Sequence, residues 1–267
     1  MFSSNPDKSS SQKEPLLSST GSEPEVMRPS DYTQERQSFV DRKKNKMEVF
    51  ERKSIKLWVP NQKVSAVVAI MQRYVPIHRR GMVHSVYVDS ENGAMYGKRL
   101  VREEDSKLLR FRWYGDDEPS AKSQVFVELK THKNKKPSSK ERFALSPVEA
   151  KDFMMNGKNI IKVDEQAKDL SCLTASLIDD LSLAPALRTE YYRTAFEDPK
   201  HGDYRASLDQ NVTLIKEGSK LGEGDAWARV PEGDDAFVFP FAVLELKIAT
   251  HALESVSKCQ SYLSVSI

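Results

Sequence analysis

The chain has 267 residues, 39% hydrophobic and 30% charged, with 41 Lys+Arg against 39 Asp+Glu. That is enough to bury one sizeable core, and no apolar run approaches the roughly 20 residues that span a bilayer; the longest, Phe237 to Leu244, is interrupted by Pro240. Two cysteines, Cys172 and Cys259, leave neither a disulfide framework nor a metal-ligand spacing, and a net charge of +2 makes the placement of charge, rather than its sum, the informative quantity.

Residues 1–45 are rich in serine and proline and nearly devoid of aromatics. Such a segment cannot bury enough apolar area to offset its ordering entropy, so it is expected to be disordered. Within it, Glu14-Pro15-Leu16-Leu17 has the form of a dileucine sorting signal, a string short enough to arise by chance. The run Arg42-Lys43-Lys44-Asn45-Lys46 reads first as a solvated linker. A single folded domain is expected over 46–267.

From Phe50 the chain alternates with period two. Ile55, Leu57 and Val59 oppose Arg52, Ser54, Lys56 and Trp58, which predicts a strand. A helix is predicted from about Asn61 to Tyr74. Further strands follow around Val83–Val88, Leu109–Tyr114, Val125–Lys130 and Lys140–Leu145. Ser146-Pro147-Val148-Glu149 is a helix start: serine caps, proline takes the first helical position, and glutamate closes a capping box. Helical structure with breaks is expected toward Leu183, then strands from Leu187 to Thr194, Tyr204 to Asp209 and Phe241 to Ile248. A final helix is predicted from about Leu253 to Leu263.

In strand after strand one face is aliphatic and the other carries Arg, Lys or Glu. One such strand is an ordinary half-wet antiparallel strand. Repeated, the pattern suggests an α+β fold: a closed antiparallel barrel of about eight strands, charged face inward, with helices packed outside. A lumen lined by Arg and Lys must be neutralised, because unpaired buried charge costs several kcal/mol. Glu128 and Glu245 compensate in part, and the surplus calls for a polyanion. Phosphate suits it, since arginine offers a bidentate fork and lysine a mobile point charge. The basic loop with Lys133, Lys135 and Lys136 lacks interleaved aromatics, so nucleic acid is not an expected partner.

Six strings in order resemble the VTC domain, the catalytic domain of the vacuolar transporter chaperone in the triphosphate tunnel metalloenzyme (CYTH-like) superfamily. They are Phe50-Glu51-Arg52-Lys53-Ser54-Ile55-Lys56-Leu57-Trp58-Val59, Leu109-Arg110-Phe111-Arg112-Trp113-Tyr114-Gly115, Val127-Glu128-Leu129-Lys130-Thr131-His132, Ser139-Lys140-Glu141-Arg142-Phe143-Ala144-Leu145, Tyr192-Arg193-Thr194-Ala195-Phe196 and Ala242-Val243-Leu244-Glu245-Leu246-Lys247. The resemblance implies a polyphosphate polymerase that moves the ATP γ-phosphoryl group onto a growing chain. Its tunnel cations would be Lys56, Arg99, Arg110, Arg112, Lys130, Lys140, Arg193, Arg205 and Lys247. Of these, Arg110, Arg112, Lys130, Arg193 and Arg205 would grip the nucleotide phosphates. Glu245 would hold a divalent metal, Mn or Mg, and Lys258 would lie on a C-terminal helix near the tunnel mouth.

Two departures stand beside the resemblance. Family members usually add an SPX domain and membrane helices, so other VTC subunits would be partners, and the chain would work in the cytosol or reach the cytosolic face of a vacuole or acidocalcisome through them. The family's second lysine after Lys258 is Ser261 here, and Thr250 to Ser257 reads as shortened. A non-catalytic polyphosphate-binding subunit and a tunnel triphosphatase are therefore the alternatives.

Overall fold

The computed structural model describes residues 52–115, 119–134, 138–157, 163–197, 204–217, 227, 231 and 233–249. The 1–45 segment, the predicted helix over Leu253–Leu263 and Lys258 lie outside the described residues.

Nine strands form one antiparallel sheet: β1 (Arg52–Pro60), β2 (Ile77–Asp89), β3 (Lys107–Tyr114), β4 (Val125–Thr131), β5 (Ser139–Leu145), β6 (Ala184–Glu197), β7 (Tyr204–Lys216), β8 (Ala236–Val238) and β9 (Phe241–Ala249). Their order is β1-β9-β7-β6-β2-β3-β4-β5, with the short β8 added on β7. Among the described residues no ladder joins β1 to β5, so the closed barrel expected from sequence is observed as an open sheet. The β5 edge opens with exposed Ser139, Lys140 and Glu141, and the two charged ones are of the kind that keep an unpaired edge from recruiting another strand. The sheet nonetheless curls, since Arg112, Glu128 and Tyr191 on the face opposite the aliphatic core are themselves buried. Lys130 on β4 senses the charges of Lys247 and Glu245 on β9, although those strands are far apart in the ladder order.

The convex face holds the core in two parts. In the first, Leu109, Phe111 and Trp113 of β3 join Val127, Leu129 and Phe143 of the next two strands. They pack against α3 (Pro147–Asn156) and α4 (Lys168–Asp180) through Phe153, Met154 and Ile178. In the second, Val59, Leu208 and Leu244 meet Val67 and Met71 of α1 (Val64–Gln72). Each such side chain, fully buried, contributes roughly 1.5–3 kcal/mol. Period two then forces the intervening residues onto the concave face.

The capping box forms as expected. Ser146 N donates to Glu149 Oε2 at 3.0 Å, and Glu149 N donates back to Ser146 Oγ at 3.4 Å. Helix α3 ends at Gly157 with φ 61°, where an added Cβ would meet the Ile178 side chain at 3.0 Å. A short helix, α2 (Ala94–Leu100), was not anticipated. Its start is organised by Asp89, whose carboxylate accepts from the backbone N–H of Met95 at 2.9 Å and of Tyr96 at 2.8 Å.

Candidate functional site

The ladder registers bring the polar side chains of the concave face into rows. Arg110 faces Tyr87 on one side and Glu128 on the other, and Glu128 faces Arg142. Arg112 lies between Ser85 and Phe126. Lys130 faces Lys140 directly. Farther round the sheet, Arg193 faces Asp209, Arg205 faces Lys247, and Lys56 faces Glu245.

Glu128 is the anionic centre of the first group. It is fully buried, and Arg110 Nε donates to its Oε2 at 2.7 Å while Lys140 Nζ lies 2.6 Å from its Oε1. Arg112 and Arg142 each approach it to 3.9 Å. Burial by itself would push this carboxyl up, but Arg110, Arg112 and Lys140 outweigh it and hold the carboxyl at about 2. Arg112 is 5% exposed, and its remaining bonds go to hydroxyls: Nε donates to Ser85 Oγ at 2.9 Å and Nη2 to Tyr191 Oη at 3.0 Å. Arg193 forms a two-pronged pair with Asp209, at 2.6 and 2.7 Å. A planar fork on a carboxylate fixes the orientation of the guanidinium as well as its charge.

The lysines are crowded. Desolvation, then the charges of Arg110, Lys247 and Lys140, bring Lys130 down to about 8. Lys140 is likewise lowered to about 8, by desolvation first, with Glu128 opposing and Arg110 and Arg112 adding to the depression. Two ammonium groups directly opposed on neighbouring strands repel each other unless an anion lies between them. At Glu245, burial raises the carboxyl, but Lys247, Lys56, the Ser54 hydroxyl and Arg193 together keep it below its ordinary range. Ser54 Oγ donates to Glu245 Oε1 at 3.0 Å, and Lys247 Nζ lies 3.6 Å from Oε2. The face as a whole carries more guanidinium and ammonium groups than carboxylates.

A family model described as "VTC domain" matches residues 51–265. The chain belongs to the VTC domain family. Among its relatives, vacuolar transporter chaperone complex subunit 4 of Schizosaccharomyces pombe is 27% identical over 238 residues, covering 75% of this chain and 33% of that protein. Subunit 4 of Trypanosoma brucei brucei is 30% identical over 243 residues, covering 75% of this chain and 30% of that protein. Subunit 2 of Saccharomyces cerevisiae is 26% identical over 220 residues, covering 68% of this chain and 26% of that protein. The chain thus spans about a third or less of the length of these relatives. Among solved structures, that of a putative adenylate cyclase from Bacillus halodurans is similar with a TM-score of 0.45 and 13% identity, over 80% of this chain and 88% of that one.

Within this VTC domain, Lys56, Arg110, Arg112, Lys130, Lys140, Arg193, Arg205, Glu245 and Lys247 all fall on the concave face by register. Arg99 stands apart. It sits on α2, a helix whose Met95 joins the convex core, and its Nη1 reaches the Ser106 carbonyl at 3.5 Å. The concave face also holds residues that strand periodicity supplies but that the sequence alone does not single out. Arg142 lies two residues beyond Lys140 on β5, and Asp209 lies two residues beyond Ser207 on β7, opposite Arg193.

Three further members carry no distinct sequence signal. Tyr87 and Tyr191 are ordinary strand residues by composition, yet their hydroxyls accept from Arg110 at 3.0 Å and from Arg112 at 3.0 Å. Arg79 is in phase with Ser85 and Tyr87, but it precedes Gly81, and the strand predicted there begins only at Val83. In the structure β2 runs back to Ile77, and the Arg79 guanidinium lies 4.8 Å from the centre of the Tyr114 ring. In the loop after β4, Lys133 pairs with Asp105, while Lys135 and Lys136 lie outside the described residues.

Proposed function

We propose that this VTC domain transfers the γ-phosphoryl group of ATP to the end of an inorganic polyphosphate chain held along the concave face. The observation that carries the reading is the surplus of fixed cations on that face, grouped round one buried carboxylate, Glu128. Closure of the sheet into a tunnel is part of the proposal; the electrostatic reach of Lys130 to Glu245 supports it by bringing the β4 side toward β9.

Arg110, Arg112, Lys130, Arg193 and Arg205 bind the nucleotide phosphates, and Lys56, Lys140 and Lys247 line the path of the polymer. A terminal oxygen of the chain attacks the γ-phosphorus in line, the bond from that phosphorus to the β,γ-bridging oxygen breaks, and ADP leaves. The attacking phosphate oxygen is already ionised, so no side-chain nucleophile is needed. Catalysis rests on positioning and on neutralising charge at the equatorial oxygens.

A divalent cation, Mn or Mg, belongs to the proposal as an ion shared between the Glu245 carboxylate and the bound phosphates. Among the described residues no group of three His, Cys, Asp or Glu comes together, so phosphate and water oxygens would complete its shell. When bound, such an ion neutralises phosphate charge. The Glu245→Gln variant is expected to weaken Mn binding in the presence of tripolyphosphate by roughly tenfold or more. Mn titration followed by electron paramagnetic resonance checks this, and unchanged Mn affinity removes Glu245 from the ligand set.

The crowded lysines make a pH prediction. Above pH about 8, Lys130 and Lys140 are increasingly neutral in the free protein. A bound polyanion favours their charged forms, so binding takes up protons there and affinity for tripolyphosphate falls as the pH rises from about 7 to about 9. Calorimetry in buffers of different ionisation enthalpy measures the uptake. Proton release, or a flat profile, counts against phosphate contact with these lysines.

The assay that decides the activity incubates the protein with ATP and Mn and stains a gel for long phosphate polymers. Polymer supports the proposal. Tight polyphosphate binding without polymer supports an accessory subunit, the second reading, between which and the first the similarity to both subunit 2 and subunit 4 relatives does not choose. Orthophosphate release from tripolyphosphate without elongation supports a triphosphatase. The relatives' names also support other VTC subunits as partners, and through them a place at the vacuole. No helix among the described residues is long and apolar enough to cross a membrane.

A further inference from the structure

Trp58 is 64% exposed, unusual for so large an aromatic side chain. It lies on the concave face two residues beyond Lys56, whose ladder partner is Glu245. Its ring is not loose. It stacks on Phe241 at 5.9 Å with an interplanar angle of 16°, and Phe239 packs edge-on at 5.5 Å. Phe239 and Phe241 also pack against each other at 5.8 Å. The turn that carries them is tied down by Asn61, whose Nδ2 donates to the Pro240 carbonyl at 3.3 Å. Three aromatics thus make a supported platform on which Trp58 keeps most of its surface open to solvent.

We infer that this platform receives the planar heteroaromatic base of a nucleoside triphosphate whose phosphates enter the cationic face. The inference rests on the phosphoryl-transfer reading above and adds a base subsite to it. The spacing suits such a ligand. Side chains two apart on a strand stand roughly 7 Å from one another, about the separation of a base from the phosphates of a folded-back nucleotide. A base stacked on Trp58 therefore leads its phosphates past Lys56 toward Arg193 and Arg205 on the same face. Stacking tolerates any base, because each has a π-face. The site is accordingly one for a nucleoside triphosphate in general, and an inorganic phosphate chain, which has no ring, passes it without contact. This gives the domain a way to prefer a nucleotide donor at one end while holding bare polyphosphate elsewhere.

The test uses the full chain, with ATP and inorganic tripolyphosphate as probes, in calorimetry and in tryptophan fluorescence. Of the three tryptophans, Trp113 and Trp227 are buried, so quenching by a solvent-borne base reports Trp58. Expected are quenching by ATP but not by tripolyphosphate, and a loss of roughly tenfold in ATP affinity in Trp58→Ala with tripolyphosphate affinity held within about twofold. Trp58→Phe, which keeps a ring, recovers part of the loss. Equal affinity for ATP in wild type and Trp58→Ala overturns the inference, as does an equal loss for both probes, which marks a structural role. Wild-type protein that binds neither probe sinks the phosphate reading itself, and this inference with it.

Discussion

On the proposed phosphoryl-transfer reading, replacing Arg112 by alanine is expected to lower the rate of polymer synthesis by about a hundred- to a thousandfold, the loss that follows when one preorganised donor to developing charge is removed. Arg112 is singled out by what holds it. Arg110 is engaged by the Glu128 carboxylate at 2.7 Å and Arg193 by both oxygens of Asp209. Arg112 is oriented by two neutral hydroxyls, those of Ser85 and Tyr191, and stands 3.9 Å from Glu128. Its positive charge is thus fixed in direction yet less neutralised than its neighbours', which is what stabilisation of an equatorial phosphate oxygen requires. The fold survives the change, because Glu128 keeps Arg110 and Lys140, and the two hydroxyls can take water. Arg112→Lys is a sharper probe. It keeps the charge but not the fork, and a lysine cannot satisfy Ser85, Tyr191 and a phosphate in the same plane. Its activity is expected to stay at least about tenfold below wild type. Initial rates of polymer formation, with a thermal melt as the control for folding, measure both variants. Wild-type rates in Arg112→Ala would remove it from the site.

Much of this site is legible in the amino-acid sequence because a strand has period two. Once Leu109, Phe111 and Trp113 are assigned to the core, Arg110 and Arg112 have no choice of face. The same logic places Glu128 with Lys130 and Glu245 with Lys247. Periodicity is less informative where a strand's extent is hidden or its ladder is irregular. Arg79 belongs to a stretch of β2 that Gly81 disguises, and β6 carries a register shift between Glu190 and Tyr192. The convex face is not wholly aliphatic either: Arg188 is buried there, 2.9 Å from Glu190 and 2.6 Å from Glu217, a network with no sequence signal beyond its separate residues. Helix α2 hides because its cap, Asp89, belongs to the preceding strand. Closure of the sheet is the step beyond the local pattern, since it concerns two edges rather than any one strand.

Glu128→Gln gives the largest expected change in stability. The substitution keeps the shape but removes the charge around which Arg110, Arg112, Lys140 and Arg142 gather, and it turns one of the two accepting oxygens into an NH2 donor facing Arg110 or Lys140. Removing one partner from a buried ion cluster costs about 3–5 kcal/mol, or a fall of roughly 10 °C in Tm for a domain of this size. Two further consequences separate this cause from ordinary misfolding. The vacated cluster should accept an external anion, so tripolyphosphate raises the Tm of the variant more than that of wild type; at a hundred times its Kd for the variant it contributes about 3 kcal/mol. The acid limb of the stability curve should also change. In wild type the Glu128 carboxyl is held at about 2, below its ordinary 4.5, so its contribution is present above pH about 4.5 and is lost as pH falls toward 2. The variant has no such group and loses less over that window. Melts of both proteins across that range, with and without tripolyphosphate, test the account. A variant as stable as wild type, with the same acid limb and no added response to the anion, would show that the arginines do not depend on Glu128 for their place.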